Sequence, residues 1–214
     1  MNRDGIETGH SDELFAAQVK LLYNNAPLIY STTLINGTIL ICVQRTHIPI
    51  LVLLAWYGCL LLATAARAGA AWQYIHRHPT SGEARRWNRI YFIIAAVEGM
   101  VWGSAAVVLF PAGSISHQVF IAFILAGMAA GAVTVLAPRM EVFLAFLLPE
   151  LLPLAMRYLS IDTSLHRAMG ILTLIFTVGM FVSGLNFNRS ILATFNLGFD
   201  KRALEEEIAR RRRA

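Results

Sequence analysis

Apolar residues run almost unbroken through six stretches of the chain, at about residues 26 to 44, 49 to 73, 90 to 110, 118 to 137, 142 to 159 and 167 to 188. Each has the roughly 20 residues that a helix rising about 1.5 Å per residue needs to cross some 30 Å of hydrocarbon. Polar residues and the breakers Pro79, Gly82, Pro111, Gly113 and Pro138 are confined to short connections. The pattern predicts an all-α integral membrane protein, a bundle of six transmembrane helices. Pro27 stands near the start of the first span, where its missing donor is tolerated. Ahead of that span, residues 11 to 23 place Phe15, Val19 and Leu22 on one face, which predicts a short helix lying at the membrane surface. After Asn188 the chain turns polar, and from Asp200 it reads as an exposed helix with Glu206 and Arg210, and Glu207 and Arg211, in the favourable i to i+4 order. Leu197, Leu204 and Ile208 supply a fragment of a heptad stripe. Three segments result: 1–25, cytoplasmic or interfacial; 26–188, the bundle; and 189–214, a cytoplasmic helix.

Composition strengthens this picture. Of 214 residues, 57% are hydrophobic and only 14% charged, and the mean hydropathy is +0.57. A water-soluble domain of this length would need more charge to cover its surface. The formal charge of +5 does not signal nucleic acid, because the basic residues sit at span borders. Fourteen of the 18 Lys and Arg fall on one side of the predicted bundle, among them Arg77, Arg85, Arg86, Arg89, Arg139 and the seven from Arg189 to Arg213. Three, Arg45, Arg157 and Arg167, fall on the other, and Arg67 is placed near the inner end of the second span, snorkelling. The bias predicts a multi-pass protein of the bacterial inner membrane with both termini in the cytoplasm. Trp72, Tyr74, Trp87 and Tyr91 at the inner border and Phe110 and Tyr158 near the outer one suit an aromatic belt. The acidic residues Asp4, Glu7, Asp12 and Glu13 exclude a cleavable signal peptide, so the first span is expected to act as an uncleaved anchor. Cys42 and Cys59, both inside apolar segments, read as small core residues.

Against this apolar background a few residues call for an explanation. Glu98 and Glu150 lie near the middle of spans three and five, where an acidic residue costs roughly 2.5 to 3.5 kcal/mol to insert. Either each is protonated and hydrogen-bonded between helices, or both line a polar pocket for a ligand, proton or cation. Pro149 and Pro153 bracket Glu150, free backbone carbonyls and predict a kink that could move. Arg157 shares the Glu150 face two turns nearer the outside and reads as snorkelling to headgroups. Ser31, Thr32, Thr33, Asn36 and Thr38 make the first span polar, with Asn36 expected to bond another helix. Gly99 and Gly103, and Gly127 and Gly131, are small-xxx-small pairs expected to meet in a close contact of spans three and four. His47, His117 and His166 fall one in each external loop, where together they would hold a metal or sense pH. His76 and His78 read as interfacial. No His-Glu-x-x-His, phosphate-binding glycine loop or Gly-x-Ser-x-Gly elbow is present, which argues against an enzyme in this chain alone.

The run Leu22-Tyr23-Asn24-Asn25-Ala26-Pro27-Leu28 resembles the opening of a multi-span input region of bacterial diguanylate cyclases, phosphodiesterases and hybrid histidine kinases. Trp102-Gly103, His117-Gln118, the run from Leu125 to Ala132, Phe143-Leu144-Ala145-Phe146, Leu148-Pro149 and Leu165-His166 carry the same resemblance. The tail from Leu204 to Ala214 is similar to the signalling helix that precedes a PAS domain or output module, and a chain stopping there in mid-helix reads as interrupted. The resemblance implies a homodimer with a downstream enzyme. External loops of about four to seven residues cannot fold into a separate sensor domain, so the stimulus is expected to be small, membrane-soluble or a property of the bilayer itself, and Gly198, weak in a helix, is expected to bend the connection. Glu98, Glu150, Asn36, Trp102 and Arg157 are the candidate sensing residues; Pro149, Pro153 and Gly198 are candidates for transmission. Two rival classes remain: a small transporter or channel using Glu98 and Glu150, and a passive membrane anchor.

Overall fold

The computed structural model describes the backbone of residues 3–77 and 79–213, and side chains within these except at 3–11, 26–28, 81, 199–200, 202–204, 206–210 and 212–213. The pairs Glu206–Arg210 and Glu207–Arg211, the side chains of Pro27, Leu204 and Ile208, and His78 therefore lie outside the described residues. Helices follow the apolar stretches closely: α1 Arg3–Asn24, α2 Ala26–Gln44, α3 Ile50–Arg77, α4 Ala84–Val108, α5 Ile115–Leu136, α6 Met140–Leu159 and α7 Ser164–Arg213, with a 3-10 turn at Ser81–Glu83 before α4. There is no strand among the described residues.

Five helices are long and apolar enough to cross a membrane: α3, α4, α5, α6 and the stretch Ser164–Gly198 of α7. A sixth span arises if Asp12–Asn24 and Ile29–Gln44, bent by 42°, are taken together. The outer surface of these helices is studded with large apolar side chains, such as Leu51 at 78% exposure, Phe123 at 75% and Leu62 at 73%. Cys42 and Cys59 belong to that surface and are not core residues, since both are exposed.

α6 is the hub, lying against α4, α7 and α5, while α3 joins α4 to α2 and α2 closes back on α5. A ring of α2, α3, α4, α6 and α5 results, with α7 outside it against α6 and α5. The two glycine pairs do not meet each other, because α4 packs mainly on α6. A methyl group at Gly99 would lie 2.9 Å from the Phe146 Cα, and one at Gly103 would lie 3.0 Å from the Pro149 carbonyl carbon. Pro153 lacks the N–H that would bond the Pro149 carbonyl four residues back, so that oxygen is left over from the helix ladder and faces the bare Cα of Gly103. The proline pair thus makes a helix contact within an unbroken α6. Gly127 and Gly131, by contrast, face open space.

The apolar stripe of α1, expected to face the membrane surface, is docked on protein. Val19, Leu22 and Tyr23 are fully buried, and Phe15 lies beneath the Arg139 guanidinium at 4.0 Å. The Tyr23 ring stacks on Tyr74 at 4.1 Å and meets Trp87 and Tyr91 edge-on, so three of the four expected belt aromatics turn inward. Only Trp72, 62% exposed, faces out. Phe110 and Tyr158 at the opposite end are likewise buried, against each other at 5.7 Å. Gly198 does not interrupt α7, which runs for 50 residues as one helix.

Candidate functional site

Inside the ring lies a cavity of about 140 Å³, with Arg67 of α3 and Glu98 of α4 in its wall. Their side chains form an ion pair and are 1% and 2% exposed. Arg67 is therefore not snorkelling. It stands ten residues before the end of α3, about 15 Å along the axis, too far for its stem to reach the border. Arginine and glutamate inserted together cancel charge that neither could carry alone, and the guanidinium also lies over the Tyr91 ring at 5.1 Å. The pairing leaves hydrogen-bonding capacity unused: Arg67 Nε, Glu98 Oε1 and the nearby Tyr30 hydroxyl are buried without a hydrogen-bond partner.

The rest of the wall is apolar or small: Ile29, Met128, Ala132, Val135, Leu136 and Phe146, with Thr33 buried among them. Thr32 on α2 and Gly127, Gly131 and Thr134 on α5 also line it and are exposed, while its residues on α3, α4 and α6 are buried. The cavity thus opens sideways between α2 and α5. Gly127 and Gly131 make that mouth, because a side chain there would occupy the gap. Asn36, one turn beyond Thr32, spans the same helix pair by donating its amide to the Met128 sulfur at 3.1 Å.

Glu150 is apart from this cavity. It is fully buried in α6, and neither carboxyl oxygen has a hydrogen-bond partner. The shared Glu98 and Glu150 pocket is therefore not formed, since the two face different surroundings. Trp102, also fully buried, packs edge-on against Trp56 at 5.5 Å and does not line the cavity. Arg157 neither meets Glu150 nor simply reaches outward; its guanidinium lies over Phe110 at 4.9 Å.

The three loop histidines divide. His47 and His117 meet edge to face at 4.1 Å, and His117 Nδ1 bonds the Ser114 hydroxyl at 2.7 Å. His166 is buried and committed elsewhere. Gln118 donates its amide to the Pro111 carbonyl at 2.9 Å, so its Oε1 must accept from His166 Nε2, also at 2.9 Å. Nε2 therefore carries a proton, and Nδ1 shares a hydrogen bond with the Thr163 hydroxyl at 2.6 Å. With both nitrogens used, His166 is a strut, and no three His, Cys, Asp or Glu side chains converge on a metal site among the described residues.

At the basic end, one carbonyl joins three parts of the fold. The Pro138 oxygen, in the turn between α5 and α6, accepts from Gln18 of α1 at 2.8 Å and from Asn188 of α7 at 2.9 Å. Arg139 donates to Gln18 Oε1 at 3.0 Å and pairs with Glu141, which also accepts from Asn88 of α4 at 3.0 Å. Sequence reasoning missed this knot, for each member is an ordinary border residue until the turn brings them together. It missed Arg67 too, although its depth within an apolar span was a usable signal. Compared with protein-family models, curated proteins and solved structures, the chain matches none.

Proposed function

We propose that this chain is the transmembrane sensory input part of a bacterial signalling protein, six spans with both ends in the cytoplasm, which passes a small or membrane-derived stimulus to a cytoplasmic output module. The output would be cyclic-di-GMP turnover or a histidine kinase, with the assembly working as a homodimer. The observation that carries the reading is α7: one helix that packs on the bundle through α6 and α5, is tied by Asn188 to the Ala137 and Pro138 carbonyls, and then continues as a polar rod. Connections of a few residues at the less basic end leave no room for a separate sensor domain, so the stimulus must act through the bundle. A change in packing around the α5 to α6 turn would move the α7 register directly. The candidate stimulus site is the cavity holding Arg67 and Glu98, whose walls include α5 and α6, the two helices that this turn joins.

Asn188→Leu tests the reading. With the chain fused to a diguanylate cyclase output, cutting the tie is expected to change cyclic-di-GMP formation while protein level and membrane content stay constant. Unchanged output in this variant would favour a passive anchor. A transporter remains the second reading, favoured by one observation: Glu150 is buried with no hydrogen-bond partner. Flux in liposomes that vanishes in Glu150→Gln would establish it.

A further inference from the structure

The cavity between α2 and α5 combines features that point to one kind of ligand. Its volume, about 140 Å³, is near that of an engineered apolar cavity that accommodates benzene, so it holds a headgroup and a few carbons and nothing larger. Its mouth opens on the flank of the bundle, between the apolar outer faces of α2 and α5, where Ile35, Ile39 and Phe123 are exposed. Arg67 and Glu98 in its wall form a pair whose charges already cancel, on which Arg67 Nε and Glu98 Oε1 are left without a hydrogen-bond partner, as is the nearby Tyr30 hydroxyl.

We propose that this cavity binds a single-chain lipid with an uncharged hydroxyl headgroup, a long-chain alcohol or monoacylglycerol, drawn sideways from the membrane between α2 and α5. The hydroxyl donates to Glu98 Oε1 and accepts from Arg67 Nε, satisfying both with one group. An anionic head would have to displace Glu98 from Arg67 or leave an uncompensated negative charge in a buried site, and a cationic head does the converse. A pure hydrocarbon leaves both polar atoms unmet. The chain beyond the first few carbons passes the gap at Gly127 and Gly131, wall glycines with open space where a side chain would be. The inference rests on the reading that these helices span a bilayer.

The test uses the full chain in nanodiscs, with hexadecanol carrying a diazirine near its hydroxyl as photoprobe and labelled peptides located by mass spectrometry. Labelling is expected on α2 around Thr32 and on α5 around Gly131, competed by hexadecanol and by monopalmitoylglycerol. Hexadecane, palmitate and hexadecyltrimethylammonium are expected to compete at least tenfold less well, the factor that one lost buried hydrogen bond produces. Gly131→Leu, whose Cβ meets open space and whose side chain fills the mouth, is expected to abolish the labelling while the thermal midpoint holds. Labelling spread evenly around the bundle, equal competition by hexadecane, or survival of labelling in Gly131→Leu would overturn the proposal. Resistance of the chain to alkaline extraction from membranes is measured in parallel. Extraction would overturn the membrane-spanning reading itself, whereas retention with unspecific labelling would overturn only the lipid assignment.

Discussion

Alanine at Gly103 is expected to destabilise the bundle even though alanine favours a helix by about 1 kcal/mol over glycine. The new methyl would run into the Pro149 carbonyl oxygen, and it would lie 3.0 Å from the Pro149 carbonyl carbon and 3.1 Å from the Glu150 oxygen. Comfortable carbon contacts begin near 3.5 Å, so α4 and α6 must part by something on the order of 1 Å. All these atoms are main chain of one helix, and no rotamer change relieves them. Overpacking of this kind costs about 1–3 kcal/mol or more, to which loss of the Cα–H···O contact adds about 0.5–1 kcal/mol. After the propensity gain is set against them, a net loss of about 0.5–3 kcal/mol remains. For a chain of this size that lowers the unfolding midpoint by roughly 1–12 °C. The assay is thermal unfolding of the detergent-solubilised protein followed by tryptophan fluorescence, for which buried Trp56 and Trp102 report on the α3 and α4 contact. Gly127→Ala and Gly131→Ala are the controls: no atom lies within 4 Å of either new methyl, so both are expected to hold or raise the midpoint. A Gly103→Ala protein as stable as the parent would refute the packing argument, as would Gly131→Ala melting as low as Gly103→Ala.

Arg67→Met strands Glu98 in the core and is expected to cost about 3–5 kcal/mol, whereas Arg67→Met with Glu98→Met recovers most of that loss; the same melting assay decides, and equal instability of the single and double variants would contradict the pairing. Glu150→Met removes a buried carboxyl without partners and is expected to raise stability by about 1–3 kcal/mol; a large loss would reveal a partner that the carboxyl depends on. Gln118→Leu takes the side-chain donor from the Pro111 carbonyl, which keeps the Ser114 N–H, and leaves His166 Nε2 unpaired; it is expected to cost about 1–3 kcal/mol, with the His166 imidazole resonances losing their fixed tautomer by NMR. In the cyclase fusion, one alanine inserted after Thr194 turns the distal part of α7 by about 100° and is expected to alter output, while seven inserted residues restore nearly the same phase and recover it.

The apolar runs alone determined that the chain is helical and where six of its helices lie, because a helix in or beside hydrocarbon is specified by length and hydropathy, both properties of a single segment. The same local logic marked Glu98, Glu150, Asn36 and the glycines as residues needing an account. What the account is, only the tertiary structure decided. Helices of nearly uniform apolarity carry little periodic signal about which face meets which neighbour, so the order around the ring was not legible. That order puts Gly103 against a carbonyl that Pro153 cannot bond, while Gly131, of identical spacing, borders an empty gap. It also pairs Glu98 with an arginine 31 positions earlier, and sets Gln18 and Asn188 on one carbonyl across most of the chain. Partners of this kind are fixed by packing at long sequence distance, where hydropathy has no further information to give.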